Sequence, residues 1–280
     1  MSRTGRTWAL AKQSFKVLAA DKRLLLFPVL SAIAVVLVSV SYAIPVFLAG
    51  GLNVQRGAAT TNTQYAVLFG FYFVNYFVIV FFNSALVYCA SICLSGGHAT
   101  VRDGLKASWD RLGAIFMWAL VAATVGMILR MIEDRLGKWA RLITWVLGTA
   151  WTLMTYFVVP VLVFEDLGIV DSVKRSTRVL KDTWGEEVIS GFSFGLIWLG
   201  FILLGVVAAF GLMMAHPVLG IVAGVLYFLA LAVVAAAVKT IFTVALYRYA
   251  SQRQVPAGFS PDLIQTAFGT KEGKALAAGA

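Results

Sequence analysis

The chain carries little charge. Only 13% of its 280 residues are Asp, Glu, Lys or Arg, whereas 60% are hydrophobic and the mean hydropathy is +0.87. A soluble domain holds about a quarter charged residues, so this composition excludes an ordinary soluble fold and makes the bilayer the solvent for much of the surface. Cysteine is nearly absent. Cys89 and Cys93 lie one helical turn apart in an apolar stretch, which excludes a disulfide framework. With no His or carboxylate in the adjoining turns, they read as small, reduced core residues.

The usual signatures of catalysis are missing as well. Gly137-Lys138-Trp139 lacks the glycine spacing and the Ser/Thr of a phosphate-binding loop. There is no His-Glu-x-x-His and no Gly-x-Ser-x-Gly elbow. The two histidines, His98 and His216, fall in separate connections and read as solvent-exposed turn residues. The expectation is a protein that is not an enzyme and holds no metal or cofactor.

Acidic residues number 13 against 23 basic ones. The basic excess lies beside apolar spans, which fits anionic membrane headgroups rather than nucleic acid.

What is abundant is long apolar runs. A spanning helix needs about 20 mainly apolar residues. Six segments qualify: Leu24–Ala49, Tyr65–Leu94, Gly113–Leu129, Leu142–Phe164, Val188–Met214 and Val218–Tyr247. They do not alternate polar with apolar, so a barrel is excluded and an all-α membrane bundle is predicted. The first run is too long for a signal-peptide core and reads as a span that stays.

Seventeen Lys and Arg fall in the amino-terminal segment, the second and fourth connections and the tail, against five in the other connections. That bias places both termini in the cytoplasm. Residues 1–250 form the membrane domain. Residues 251–280 form a cytoplasmic tail, in which Ser260-Pro261-Asp262 predicts a short helix over 260–268.

The chain contains three Lys-x-Ser triplets, each with a Leu six residues after its Lys. They are Lys12/Ser14/Leu18, Lys106/Ser108/Leu112 and Lys174/Ser176/Leu180. Average residue usage predicts about 0.1 such patterns in a chain of this length. An apolar residue precedes each Lys (Ala11, Leu105, Val173), and Phe15, Trp109 or Thr177 lies three after it. With the Leu, these positions form one face of a helix.

Each copy precedes a pair of spans. We therefore read three units, about 5–95, 99–164 and 168–250, each an interfacial amphipathic helix followed by a transmembrane hairpin. In the third copy Val170, Val173, Thr177, Leu180 and Trp184 share the apolar face, and Gly185 supplies a stop.

Leu26-Phe27-Pro28, Phe164-Glu165-Asp166 and the run from Ser176 to Trp184-Gly185 together resemble a family of uncharacterised six-helix bacterial polytopic membrane proteins. More distantly, they resemble the membrane domain of some glycerophosphoryl diester phosphodiesterases. The resemblance implies a six-helix membrane fold in bacteria and brings no activity with it.

Few polar residues lie inside the spans. Lys239 in span six is the most costly, because a charge at depth costs about 2.5–3.5 kcal/mol on insertion scales. Either it pairs with Asn75 or Asn83 of span two, or Glu165 or Asp166 at the end of span four, or its stem snorkels to the headgroups. Gly191-x-x-x-Gly195 and Gly220-x-x-x-Gly224 predict close helix packing, within the chain or against a second copy. Two functional expectations follow. One is a protein that organises anionic lipid or partner proteins through its surface helices. The other is a small-solute transporter or channel with a polar site near Lys239.

Overall fold

The computed structural model describes residues 3–48, 62–136, 140–190, 194–252 and 254–260. Among them the chain forms ten α-helices and one 3-10 turn, with no strand. The helices are α1 (Arg3–Ala20), α2 (Leu26–Leu48), α3 (Asn62–Leu94), α4 (Val101–Asp110), α5 (Leu112–Leu136), α6 (Ala140–Met154), α7 (Val158–Phe164), α8 (Ile169–Ser190), α9 (Phe194–Ala215) and α10 (Pro217–Gln252). Six stretches are long and apolar enough to cross a membrane: Lys22–Pro45, Gln64–Leu94, Leu112–Asp134, Leu142–Phe164, Trp198–Ala215 and Pro217–Ser251.

Two boundaries differ from the sequence reading. Gly185 does not stop α8, which runs on to Ser190, so the expected first residues of span five belong to the preceding helix. A single glycine costs a helix only about 1 kcal/mol relative to alanine, which neighbouring turns can absorb. Span four, in turn, is broken between α6 and α7. The cause is Pro160, the third residue of α7, which lacks the N–H that would meet the Tyr156 carbonyl and whose ring crowds that carbonyl. The expected helix over 260–268 lies outside the described residues beyond Ser260.

The chain divides into two compact units, one of Met1–Pro28, Leu86–Val101 and Arg178–Ala280, the other of Val29–Ala85 and Arg102–Thr177. In the second unit the core is Val80 of α3, Ile115, Trp118 and Ala122 of α5, and Val158 and Leu162 of α7. Trp118 stacks on Trp151 of α6 at 5.8 Å, and Phe116 meets Phe73 and Phe77 edge-on. Tyr42 of α2 packs edge-on against Phe71, with Gly70 leaving room for its hydroxyl.

In the first unit α9 and α10 form a hairpin joined by His216 alone. Their backbones approach closely. A Cβ on Gly220 would lie 2.4 Å from the Met213 nitrogen, and one on Gly224 would lie 3.1 Å from the Ala209 Cβ. Gly220-x-x-x-Gly224 therefore packs within the hairpin, while Gly191 and the surroundings of Gly195 lie outside the described residues. The outer stretches of both helices expose almost every large apolar side chain, as lipid-facing helices must.

From Ala237 onward α10 is instead buried, with Ile241, Val244, Ala245 and Tyr247 covered. α1 packs on α10 and α9, and Phe15 meets the Trp198 ring at 6.1 Å.

Candidate functional site

The three Lys-x-Ser triplets lie on α1, α4 and α8, and in each the serine is buried while the lysine is exposed. Ser14, Ser108 and Ser176 have at most 1% of their surface accessible. The Ser108 hydroxyl donates to the Phe81 carbonyl of α3 at 2.9 Å. The Ser176 hydroxyl accepts the backbone N–H of Phe157 at 3.0 Å, and the adjacent Thr177 hydroxyl reaches the Met154 carbonyl at 3.4 Å. Ser176 of α8 therefore serves one backbone group that the break in span four leaves without a helical partner, while the Thr177 hydroxyl donates more closely to the Val173 carbonyl of its own helix, at 2.9 Å. α4 is seated on span two, α8 on span four, and α1 on the last hairpin, chiefly on α10.

This arrangement corrects the predicted inward faces. Ala11 and Leu18 of α1 are buried as expected, but Leu112 and Leu180 are half-buried. Trp109 and Val170 are each 67% exposed. In α4 and α8 the buried face is turned by about one residue, or 100°, to centre on Gly104 with Ser108 and on Ser172 with Ser176. Small residues let the helix backbone approach the span, and a hydroxyl satisfies backbone groups that an apolar side chain would leave unpaired. The Trp184 side chain lies outside the described residues.

Phe164-Glu165-Asp166 closes α7 as an anchored turn. The Glu165 N–H caps the helix on the Val161 carbonyl at 2.7 Å. Its carboxylate takes the Arg175 Nε at 3.0 and 3.1 Å, and Asp166 pairs with Arg111 at the α4–α5 corner. Both carboxylates proposed as partners for Lys239 are thus held by arginines.

Lys239 is exposed, and among the described residues no ion pair includes it. Gly224 faces Ala209, and fifteen residues further along each antiparallel helix Lys239 comes level with Phe194, the first residue of α9. The lysine therefore sits at the edge of the hairpin and not within it. Asn75 is nearly buried; its Nδ2 donates to the Phe71 carbonyl at 2.8 Å, and its Oδ1 has no partner. Asn83 is half-buried.

Three features went unread in the sequence. The Pro160 break was visible as a proline inside an apolar run. The arginine partners of Glu165 and Asp166 carried no periodic signal. The segment after α10 turns back on the first unit: the Ala257 N–H donates to the Leu94 carbonyl at 2.8 Å, and Gln13 of α1 donates to the Ser260 hydroxyl at 2.8 Å. Gly258 makes that turn at φ +84°, and Phe259 is buried beside it. Arg248 secures the same region by donating to the Ser91 carbonyl at 2.7 Å.

Ten described helices with six apolar stretches of spanning length define the class: a helical, multi-pass membrane protein. Residues 62–258 match the model of the family of unknown function DUF6159, and the chain belongs to that family. No curated protein and no solved structure matches it, and none of these comparisons supports the distant resemblance to the phosphodiesterase membrane domain.

Proposed function

We propose that this is a non-enzymatic, multi-pass protein of the bacterial cell membrane, with cytoplasmic termini, that organises anionic lipid or partner proteins through α1, α4 and α8. One observation supports it above the rest: at three places a Lys-x-Ser triplet buries its serine on an even-numbered span and turns its lysine outward. Surface helices fixed in that way present cations beside the membrane, where each contributes about 1 kcal/mol of attraction to anionic headgroups. The shared docking also supports the reading of three repeats, each a surface helix and a hairpin.

The test is to replace Lys12, Lys106 and Lys174 together by Gln. Anionic lipid retained on purification, and proteins crosslinked in intact membranes, are then compared with the wild type. Loss of either supports the proposal, and retention of both at wild-type levels defeats it.

A second reading, a small-solute transporter or channel, has one observation in its favour: the Asn75 Oδ1, near the middle of span two, has no hydrogen-bond partner among the described residues. Glu165 and Asp166 do not favour it, since arginines hold both. Solute uptake into proteoliposomes that disappears in Asn75→Leu would favour transport over the first reading.

A further inference from the structure

We propose that Lys239 is a discrete binding site for the headgroup phosphate of a phospholipid seated on the outer side of the α9–α10 hairpin. The inference rests on the hairpin's spanning a bilayer, and not on the role given to the surface helices.

Depth is the first support. Lys239 lies 22 residues after Pro217, the first residue of α10, which is about 33 Å along the helix at 1.5 Å per residue. That is close to the ~30 Å thickness of a hydrocarbon core, so a hairpin whose tip lies at one boundary carries Lys239 to the other, beside the headgroups. α10 runs on to Gln252, thirteen residues past Lys239, and that extension is covered by protein and not by lipid.

Direction is the second. The buried residues within six positions of it on α10 are Ala237, Val238, Thr240, Ile241, Val244 and Ala245. At 100° per residue Lys239 is turned about 180° from the middle of that face. It therefore points away from the protein, and the described residues supply it with no carboxylate. Ala236 and Ala232 are exposed about one and two turns nearer the hairpin's tip, and their small side chains leave space beside the lysine stem for the glycerol and upper acyl carbons of a lipid. Among the described residues no carboxylate pairs with Lys239, and the phosphodiester is the anion that the bilayer holds at its boundary.

The test uses the full chain reconstituted in phosphatidylcholine with and without phosphatidylglycerol, with bound lipids counted by native mass spectrometry. Wild type and Lys239→Arg are expected to retain one phospholipid that Lys239→Met holds with about fivefold lower occupancy. The triple Gln variant at Lys12, Lys106 and Lys174 is expected to keep it, which separates this site from the surface helices. Inorganic phosphate in excess is expected not to displace it; displacement would mean that free phosphate, and not a lipid, is the ligand. Equal lipid retention by Lys239→Met and wild type overturns the proposal. So does a loss that appears only together with loss of a dimer peak, which would assign Lys239 to a second copy.

Discussion

Ser176 accepts the Phe157 backbone N–H at 3.0 Å, so a residue of α8 supplies a hydrogen bond that the broken fourth apolar span cannot make for itself. The Phe157 side chain is wholly buried, and no water reaches that N–H to replace the bond. Ser176→Ala is therefore expected to lower stability by about 1–3 kcal/mol, the cost of an unsatisfied buried donor. Thermal unfolding in detergent measures it. In a Pro160→Ala background the span can close its own helical bonds, and the penalty is expected to shrink. A double-mutant cycle with no coupling between the two positions would refute this account.

Glu165 and Asp166 are neighbours with unequal partners. In the Glu165–Arg175 pair one Nε–H is shared by both carboxylate oxygens, with the side chains about three-quarters and two-thirds covered, whereas the Asp166 side chain is 92% exposed. Arg175→Met is expected to cost about 1.5–3 kcal/mol, because it leaves the largely covered Glu165 carboxylate without its charged donor. Asp166→Asn is expected to cost less than about 1 kcal/mol, as exposed pairs do. Equal effects on the midpoint of unfolding would show that the turn is not anchored through Glu165.

The closest backbone approach in the hairpin is at Gly220. A Cβ there would meet the nitrogen and Cα of Met213 at 2.4 and 2.5 Å, atoms that cannot rotate away. Gly220→Ala is expected to force the helices apart at a cost of about 1–3 kcal/mol, while Gly211→Ala, with nothing within 4 Å, is expected to be neutral. Protein yield and detergent melting temperature of the two variants decide the point.

Gly258 holds a positive φ and lies 3.2 Å, by its would-be Cβ, from Val17 of α1. Gly258→Ala combines backbone strain with this contact, for an expected loss of about 1–2 kcal/mol. Because the turn joins α1 to the end of α3, the effect is expected to be local. Hydrogen exchange should rise at α1 and at residues 254–260, and not in α5.

Six spans and all-helical structure were legible because apolar runs of membrane length have no other stable use. Helices over the three Lys-x-Ser segments were legible too, but which of their residues are buried was not. A hydrophobicity pattern places Trp109 inward and serine outward, whereas close packing against a span selects small residues such as Gly104 and Ser108 and spends their hydroxyls on backbone groups. Depth was the least legible property. Ile241, Val244 and Leu246 continue the apolar run of α10 without a seam, yet they are covered by protein beyond the hairpin's edge. Composition does not distinguish burial by lipid from burial by protein, so Lys239 reads as deep in the sequence, whereas in the fold α10 passes there from an exposed to a largely buried stretch.

The seating of α1 has a consequence for biosynthesis. Its buried residues Ala11, Ser14 and Leu18 lie in a unit that also holds α9, α10 and the ends of α3 and α8, with α10 its chief neighbour, and Gln13 bonds to Ser260, which follows the last span. A ribosome delivers α1 first and its seat last. Until α10 has been made, the first helix must wait at the membrane with its small-residue face open. A prematurely terminated chain would keep that face open, offering quality-control proteases a mark of incompleteness at the end of the molecule that is already finished.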